Sequence, residues 1–229
     1  MRTGAGSSWP NLLARTVVTV TVGLAVASCT DNRPADKATP SATSSSAARS
    51  SMTFEEAYRR VPMNGTNDLP ITWDLAGAPH TDEILAARRG LAFSYWLGQA
   101  TDWAPLIPIG RFIYTEEHYE KFLAPFAKSS SNDNPLIGPI WVKVMGVEQN
   151  GPDQSTVTFC TDLGYWHNAE AKDRAQVRKE RANLESYVMK NVKSGDGEQH
   201  WRVDRQIDKD GSRKARYGGQ CTEWAQHKR

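Results

Sequence analysis

Apolar positions recur along this chain with two different periods, and the change falls near residue 135. Before it the spacing is helical. Over 81–99, Ile84, Leu91 and Tyr95 interleave with Leu85, Ala92 and Trp96 at helical steps. Thr81 stands where an N-cap belongs, Asp82 and Glu83 occupy the first turn, where the helix dipole favours acids, and Gly98 marks the end. A shorter helix is predicted over 52–61, where Thr53 and Glu56 have the spacing of a capping box. Residues 62–79 are broken by Pro62, Gly65, Pro70, Gly77 and Pro79, with 69–73 lying extended against the domain. Residues 109–114 (IGRFIY) predict a short strand. Thr115 then caps a helix over 116–124 that Pro125 ends.

After residue 135 the period is two. Ile140, Val142 and Val144 alternate with Trp141, Lys143 and Met145; after a QNGPD turn, Val157, Phe159 and Thr161 alternate with Thr158, Cys160 and Asp162. That is a β-hairpin by pattern and turn chemistry. Residues 164–183 read as a loop with a helical piece over 169–182. Strands follow over 185–193 and 199–208 around Gly195-Asp196-Gly197, with a last short strand over 217–224. Helices first and long hairpins after predict an α+β fold.

One apolar run stands outside this scheme. Residues 17–27 form an 11-residue stretch preceded by Arg2 and Arg15 and by no acid. It is too short for a bilayer, which needs about 20 residues, and it fits the h-region of a secretory signal. Its end, Val26-Ala27-Ser28-Cys29, resembles the lipobox of bacterial lipoproteins. That resemblance implies cleavage after residue 28 and a diacylglyceryl group on Cys29. The plainer alternative is an ordinary signal peptide with Cys29 incidental. Residues 30–51 are rich in Ser, Thr, Ala and Pro and hold no large apolar side chain, so 29–51 predict a disordered tether. Such a chain would hold the domain roughly 25–30 Å from its anchor.

Removal of residues 1–28 leaves 26 of the 28 basic residues against 26 acids, so the mature chain is near neutral. The basic side chains of 168–190 are mixed with Glu170, Asp173, Glu180 and Glu185. No nucleic-acid partner is implied. Eight Trp is a high count, and Trp serves cores and ligand pockets alike. With Cys29 lipidated, Cys160 and Cys221 remain. In an oxidising compartment they most simply form a disulfide; two free thiols are the alternative.

The segments Val157-Thr158-Phe159-Cys160, Trp201-Arg202-Val203 and Cys221, in this order of elements, resemble the NTF2-like (SnoaL-like) superfamily. They are most similar to actinobacterial secreted lipoproteins that carry this domain. The resemblance covers roughly 82–221. It implies N-terminal helices packed in a curved antiparallel sheet, a cone enclosing a pocket, with residues 52–80 as an irregular extension before a domain of 81–229. The long insert over 164–184 departs from the compact hairpin of the family.

Some members of that superfamily are isomerases, dehydratases or epoxide hydrolases with an Asp base and a Tyr, His or Asp partner, and many are not catalytic. On that pattern the candidate residues here are Tyr95, Asp102, Tyr114, His118, Asp162 and Trp201. A buried acid would serve as base and Tyr or His would donate to a developing oxyanion. Alternation puts Asp162 opposite Phe159 and therefore toward solvent. His80, His118, His167, His200 and His227 are scattered, without His-x-x-x-His or Cys-x-x-Cys spacing, so no metal and no cofactor is implied. The expectation is a secreted, membrane-anchored lipoprotein at the extracytoplasmic face. It would bind an envelope protein or a small apolar ligand without chemistry, with Trp73, Trp103 or Trp166 exposed for the purpose. The alternative is a small-molecule acid–base enzyme using the cone pocket, and an acid buried beside Tyr or His would favour it.

Overall fold

A computed structural model describes residues 52–75, 77–128, 132–171, 176–207 and 210–228. The expected signal segment, Cys29 and the expected tether lie outside the described residues. The architecture below belongs to the unit Arg49–Arg229.

Helix α1 (Phe54–Arg60) opens the domain with its capping box complete: Thr53 Oγ1 accepts from the Glu56 amide, and the Glu56 carboxylate accepts from the Thr53 amide at 2.8 Å. Strand β1 (Ile71–Asp74) follows, then α2 (Asp82–Gln99), whose buried face includes Ile84, Leu91, Phe93 and Tyr95. Ala57, Val61, Leu69 and Ile71 enter the same core as α2. Residues 57–71 thus contribute side chains to the core that α2 builds.

Residues 109–114 do not form a strand. Residues 109–113 lie in helix α3 (Ile107–Ile113), which has a proline in its first turn and buries Ile109, Gly110 and Ile113 at helical spacing, and Tyr114 is its extended C-cap, bridged to Val203. A Cβ on Gly110 would collide with Leu123, so glycine here serves close packing. Thr115 caps the next helix as expected, accepting from the His118 amide at 3.3 Å. The α-geometry of α4 lasts only from Glu116 to His118. The backbone then widens to a π turn over Tyr119–Leu123 and tightens to 3₁₀ over Ala124–Lys128. Pro125 does not end the run. It stands in the first turn of the 3₁₀ segment, where a missing N–H is tolerated.

Strands β2 (Leu136–Ile137), β3 (Ile140–Gly151), β4 (Gln154–Asp162), β5 (His167–Asn168), β6 (Ala182–Lys193) and β7 (Gln199–Ile207) follow. The main sheet has the order β1-β3-β4-β6-β7 and curls into a half-barrel; β2 and β5 make a separate antiparallel pair. The sheet is mixed, because β1 pairs parallel with β3 at its edge. Parallel neighbours need a long crossover, and α2 to α4 supply it. The helical piece expected over 169–182 is absent among the described residues of that span.

The expected strand over 217–224 is also a helix, α5 (Gly211–Trp224). Asp210 caps it, accepting from the amides of Ser212 and Arg213. Tyr217, Cys221 and Trp224 fall on one face, and Cys221, Trp224 and Ala225 pack with Cys160, Met145, Ala182 and Leu184. The helices are therefore not all N-terminal. α2 approaches the other face so closely that a Cβ on Gly90 would strike Val203. Strand β4, covered on both sides, is buried at every position from Ser155 to Asp162.

The cysteines are bridged, Cys160 to Cys221, with Cα atoms 5.5 Å apart across 61 residues of sequence. Chain-entropy arguments put closure of such a loop at ~4 kcal/mol. Reduction or Cys160→Ser/Cys221→Ser should lower unfolding free energy by about 2–4 kcal/mol, read as a shift in the urea midpoint with and without reductant.

Candidate functional site

Antiparallel partners share a face, so the register Val157↔Tyr187, Phe159↔Glu185 and Thr161↔Asn183 defines the concave lining of β4 and β6. An acid sits in that lining. Glu185 is 4% exposed. Its Oε1 accepts from Tyr95 Oη at 3.0 Å and Thr161 Oγ1 at 2.7 Å; its Oε2 accepts from Tyr187 Oη at 3.2 Å and Gln206 Nε2 at 3.1 Å. Helix α2 supplies Tyr95, and three different strands supply the other groups. An ionised carboxylate has about four lone-pair sites, and these donors match that number.

Burial, reinforced by the nearby Glu185 charge, holds the Tyr95 and Tyr187 hydroxyls well above the usual phenol range. Both stay protonated and act as donors. Aromatic rings pack close around them. Tyr95 meets Trp166 edge-on at 5.6 Å, Phe159 meets Tyr187 at 5.8 Å, and Phe159 meets Trp73 at 6.3 Å. Hollows among the described residues lie elsewhere. One, of about 150 Å³, is bounded by Leu75, Pro79, Thr81, Leu85 and Arg88; another adjoins the β3–β4 turn at Gly151–Gln154.

Of the residues singled out in the sequence, only Tyr95 belongs to this cluster. Asp102 is exposed and accepts from the Ala104 amide at 2.9 Å, a local turn contact. Tyr114 is buried 3.2 Å from Ser94 Oγ, and burial raises its hydroxyl above the phenol range. His118 lies flat on Phe122 at 5.3 Å and meets Tyr114 edge-on at 4.8 Å. Burial lowers it to about 4, against a smaller opposing effect of Asp204, so the imidazole is neutral at neutral pH. Trp201 is partly buried against the core. Trp73, Trp103 and Trp166 are also only partly exposed. The Trp73 and Trp103 indoles donate to the carbonyls of Met63 at 2.7 Å and Leu97 at 2.9 Å.

Asp162 does not face solvent. It is on the convex side, as alternation requires, but α5 and the segment after it cover that side and leave it 0% exposed. Arg181 grips it with two hydrogen bonds of 2.8 and 2.7 Å, the Gly164 amide donates at 2.9 Å, and the His227 amide and Nδ1 lie at 3.0 Å. Burial pushes its carboxyl up, but Arg181 and the two amides outweigh burial and hold it below the usual carboxylate range. A Cβ on Gly164 would lie 2.7 Å from the guanidinium carbon, so only glycine lets Arg181 seat.

Sequence reading missed Glu185, Tyr187, Thr161 and Gln206 as a group. The available signal was phase: Glu185 alternates in step with Tyr187 and Met189, both core residues. Comparison of the chain with family models, curated proteins and solved structures finds no match in any of the three.

Two measurements test this reading. Tyr95→Phe removes one donor and should cost ~1 kcal/mol of unfolding free energy, whereas Glu185→Ala strands four donors and should cost ~3 kcal/mol or more in chemical denaturation. Between pH 6.5 and 4 the unfolded chain takes up a proton at His118 that the folded chain refuses. Stability should therefore fall as pH drops through that window, and His118→Gln should flatten the slope there. Asp162 acts lower, its contribution being lost as pH falls below the ordinary carboxylate range.

Proposed function

We propose that this protein is an exported lipoprotein, anchored to the outer face of a cell membrane through acylated Cys29, whose NTF2-like domain binds an envelope partner or a small ligand and performs no chemistry on it. The leader over 1–28 supports export, with its basic start, short apolar run and small residues before Cys29. The Cys160–Cys221 bridge supports it as well, because disulfides persist outside the reducing cytosol. More than one acyl chain holds a protein stably, and the segment over 30–51 has the composition of a tether.

The observation that carries the non-catalytic reading is the state of Glu185. A general base needs a lone pair free for substrate and room beside it. Here the carboxylate is taken up by Tyr95, Tyr187, Thr161 and Gln206, and aromatic rings pack close around the two phenols.

A second reading has one observation in its favour. An acid buried within 3.0 Å of Tyr95 and 3.2 Å of Tyr187 is the pairing that acid–base isomerases and dehydratases use, and it would act if the cone opened beside Trp166. Fold resemblance transfers no chemistry by itself.

The test is mass spectrometry of the protein taken from membranes in detergent. The expected product begins at Cys29, carries a diacylglyceryl group and contains the bridge. Cys29→Ala should release the domain from the membrane fraction. Recovery of an intact, unacylated leader would overturn the proposal.

A further inference from the structure

The β6–β7 turn gathers three metal-ligating side chains. Ser194 to Glu198 close the turn, with the Ser194 amide donating to the Glu198 carbonyl at 2.8 Å and Gly197 at φ 87°. Around that left-handed glycine, Asp196, Glu198 and His200 fall at steps of two. The imidazole Nε2 lies 2.9 Å from Asp196 Oδ2 and 3.9 Å from Glu198 Oε2, and all three ligand atoms lie within 4.8 Å of one another. The carboxylates do not set the ring orientation alone. His200 stacks on Phe54 of α1 at 3.7 Å and 8°, which holds Nε2 toward the acids. The imidazole side chain is 15% exposed, while Asp196 and Glu198 are 40% and 78% exposed, so a cation has a way in.

We propose that Asp196, Glu198 and His200 form a binding site for a borderline divalent cation of the Zn²⁺ class. A metal held at 2.0–2.2 Å by nitrogen and carboxylate oxygen sets its ligand atoms roughly 3.4 Å apart. The two distances from Nε2 bracket that value; loading replaces the Nε2–H···Oδ2 hydrogen bond to Asp196, releases its proton to solvent, and turns both exposed carboxylates by a few tenths of an ångström to centre the ion. One imidazole with two carboxylates ranks Zn²⁺ above Mn²⁺, and Mg²⁺ is disfavoured by the nitrogen. Two negative charges face the centre. Arg202, whose guanidinium lies 4.7 Å over the same Phe54 ring, donates to Ser194 Oγ and to the Arg111 carbonyl, and its positive charge also acts on Asp196, which offsets part of the negative charge offered to a cation. With three protein ligands the metal keeps positions open to water, as catalytic and exchangeable sites do and closed structural sites do not. Bound metal would tie the hairpin tip to α1 through His200 and Phe54. The inference is independent of the export reading.

The experiment uses the untagged full chain, stripped with chelator and titrated with ZnCl₂ by calorimetry, with MgCl₂ as the comparison. One saturable site per chain is expected for Zn²⁺, with Asp196→Asn and Glu198→Gln each weakening it at least tenfold. His80→Gln, which removes an exposed imidazole elsewhere, should leave it unchanged. Both acids are at the surface, so these variants keep the fold, and a matched thermal melt checks it. On loading, the His200 imidazole nitrogens should shift in ¹⁵N spectra and those of His80 should not. Lack of saturable Zn²⁺ binding below about 1 mM, equal affinity for Mg²⁺, or binding indifferent to both acid variants would each overturn the proposal.

Discussion

A strand with no wet side is the constraint on which this structure depends. From Ser155 to Asp162 every residue of β4 is buried, so polar side chains along it call for partners from their own chain; Ser155 Oγ is left without one. The concave and convex sides answer that need with different chemistry. Toward α2, the acid beside β4 is Glu185 of β6, met by two phenols, a hydroxyl and an amide. Toward α5, Asp162 is met by a guanidinium, two backbone amides and an imidazole. Hydrogen bonds to a charged group contribute about 1.5–3 kcal/mol each, while a stranded partner costs a comparable amount. Both clusters thus fix which elements cover β4 and in what register.

The crossover that makes β1 parallel to β3 has a second effect. It carries α2, α3 and α4 across the concave side, where Gly90 and Gly110 permit contact too close for any Cβ. Through Gly90 helix α2 lies close on the sheet, and Phe93, Tyr114, Phe159 and Tyr187 are buried in the interior. A half-barrel packed this way has its polar interior group accounted for before any ligand arrives.

Local signals were legible in the sequence. The capping box of α1, the extent of α2 and both long hairpins follow from spacing and turn residues within a dozen positions. Where distant burial decided the outcome, sequence reading went astray. Residues 109–114 hold β-branched side chains that suit a strand, yet burial of Ile109 and Ile113 and the close seat of Gly110 against Leu123 and Phe93 favour the helix. Gly218 and Gly219 lower the helix propensity of α5, and Asp210 with the contacts of Cys221 and Trp224 overrides it. Alternation placed Asp162 on the correct side of β4, but nothing near it in sequence announces that residues 211–227 will cover that side. Tyr95 was visible as a helix residue facing inward. Its acid, 90 positions away, was not.

The grip of His227 on Asp162 spans 65 positions. A polypeptide that emerges with its amino end leading displays the outer surface of β4 long before the segment that shields it arrives. Until then Asp162 lacks His227, Cys160 lacks Cys221, and the half-barrel lacks its outer cover. Burial of that side of β4 therefore waits for α5 and the segment after it, which reach back across 61 to 65 positions to complete it.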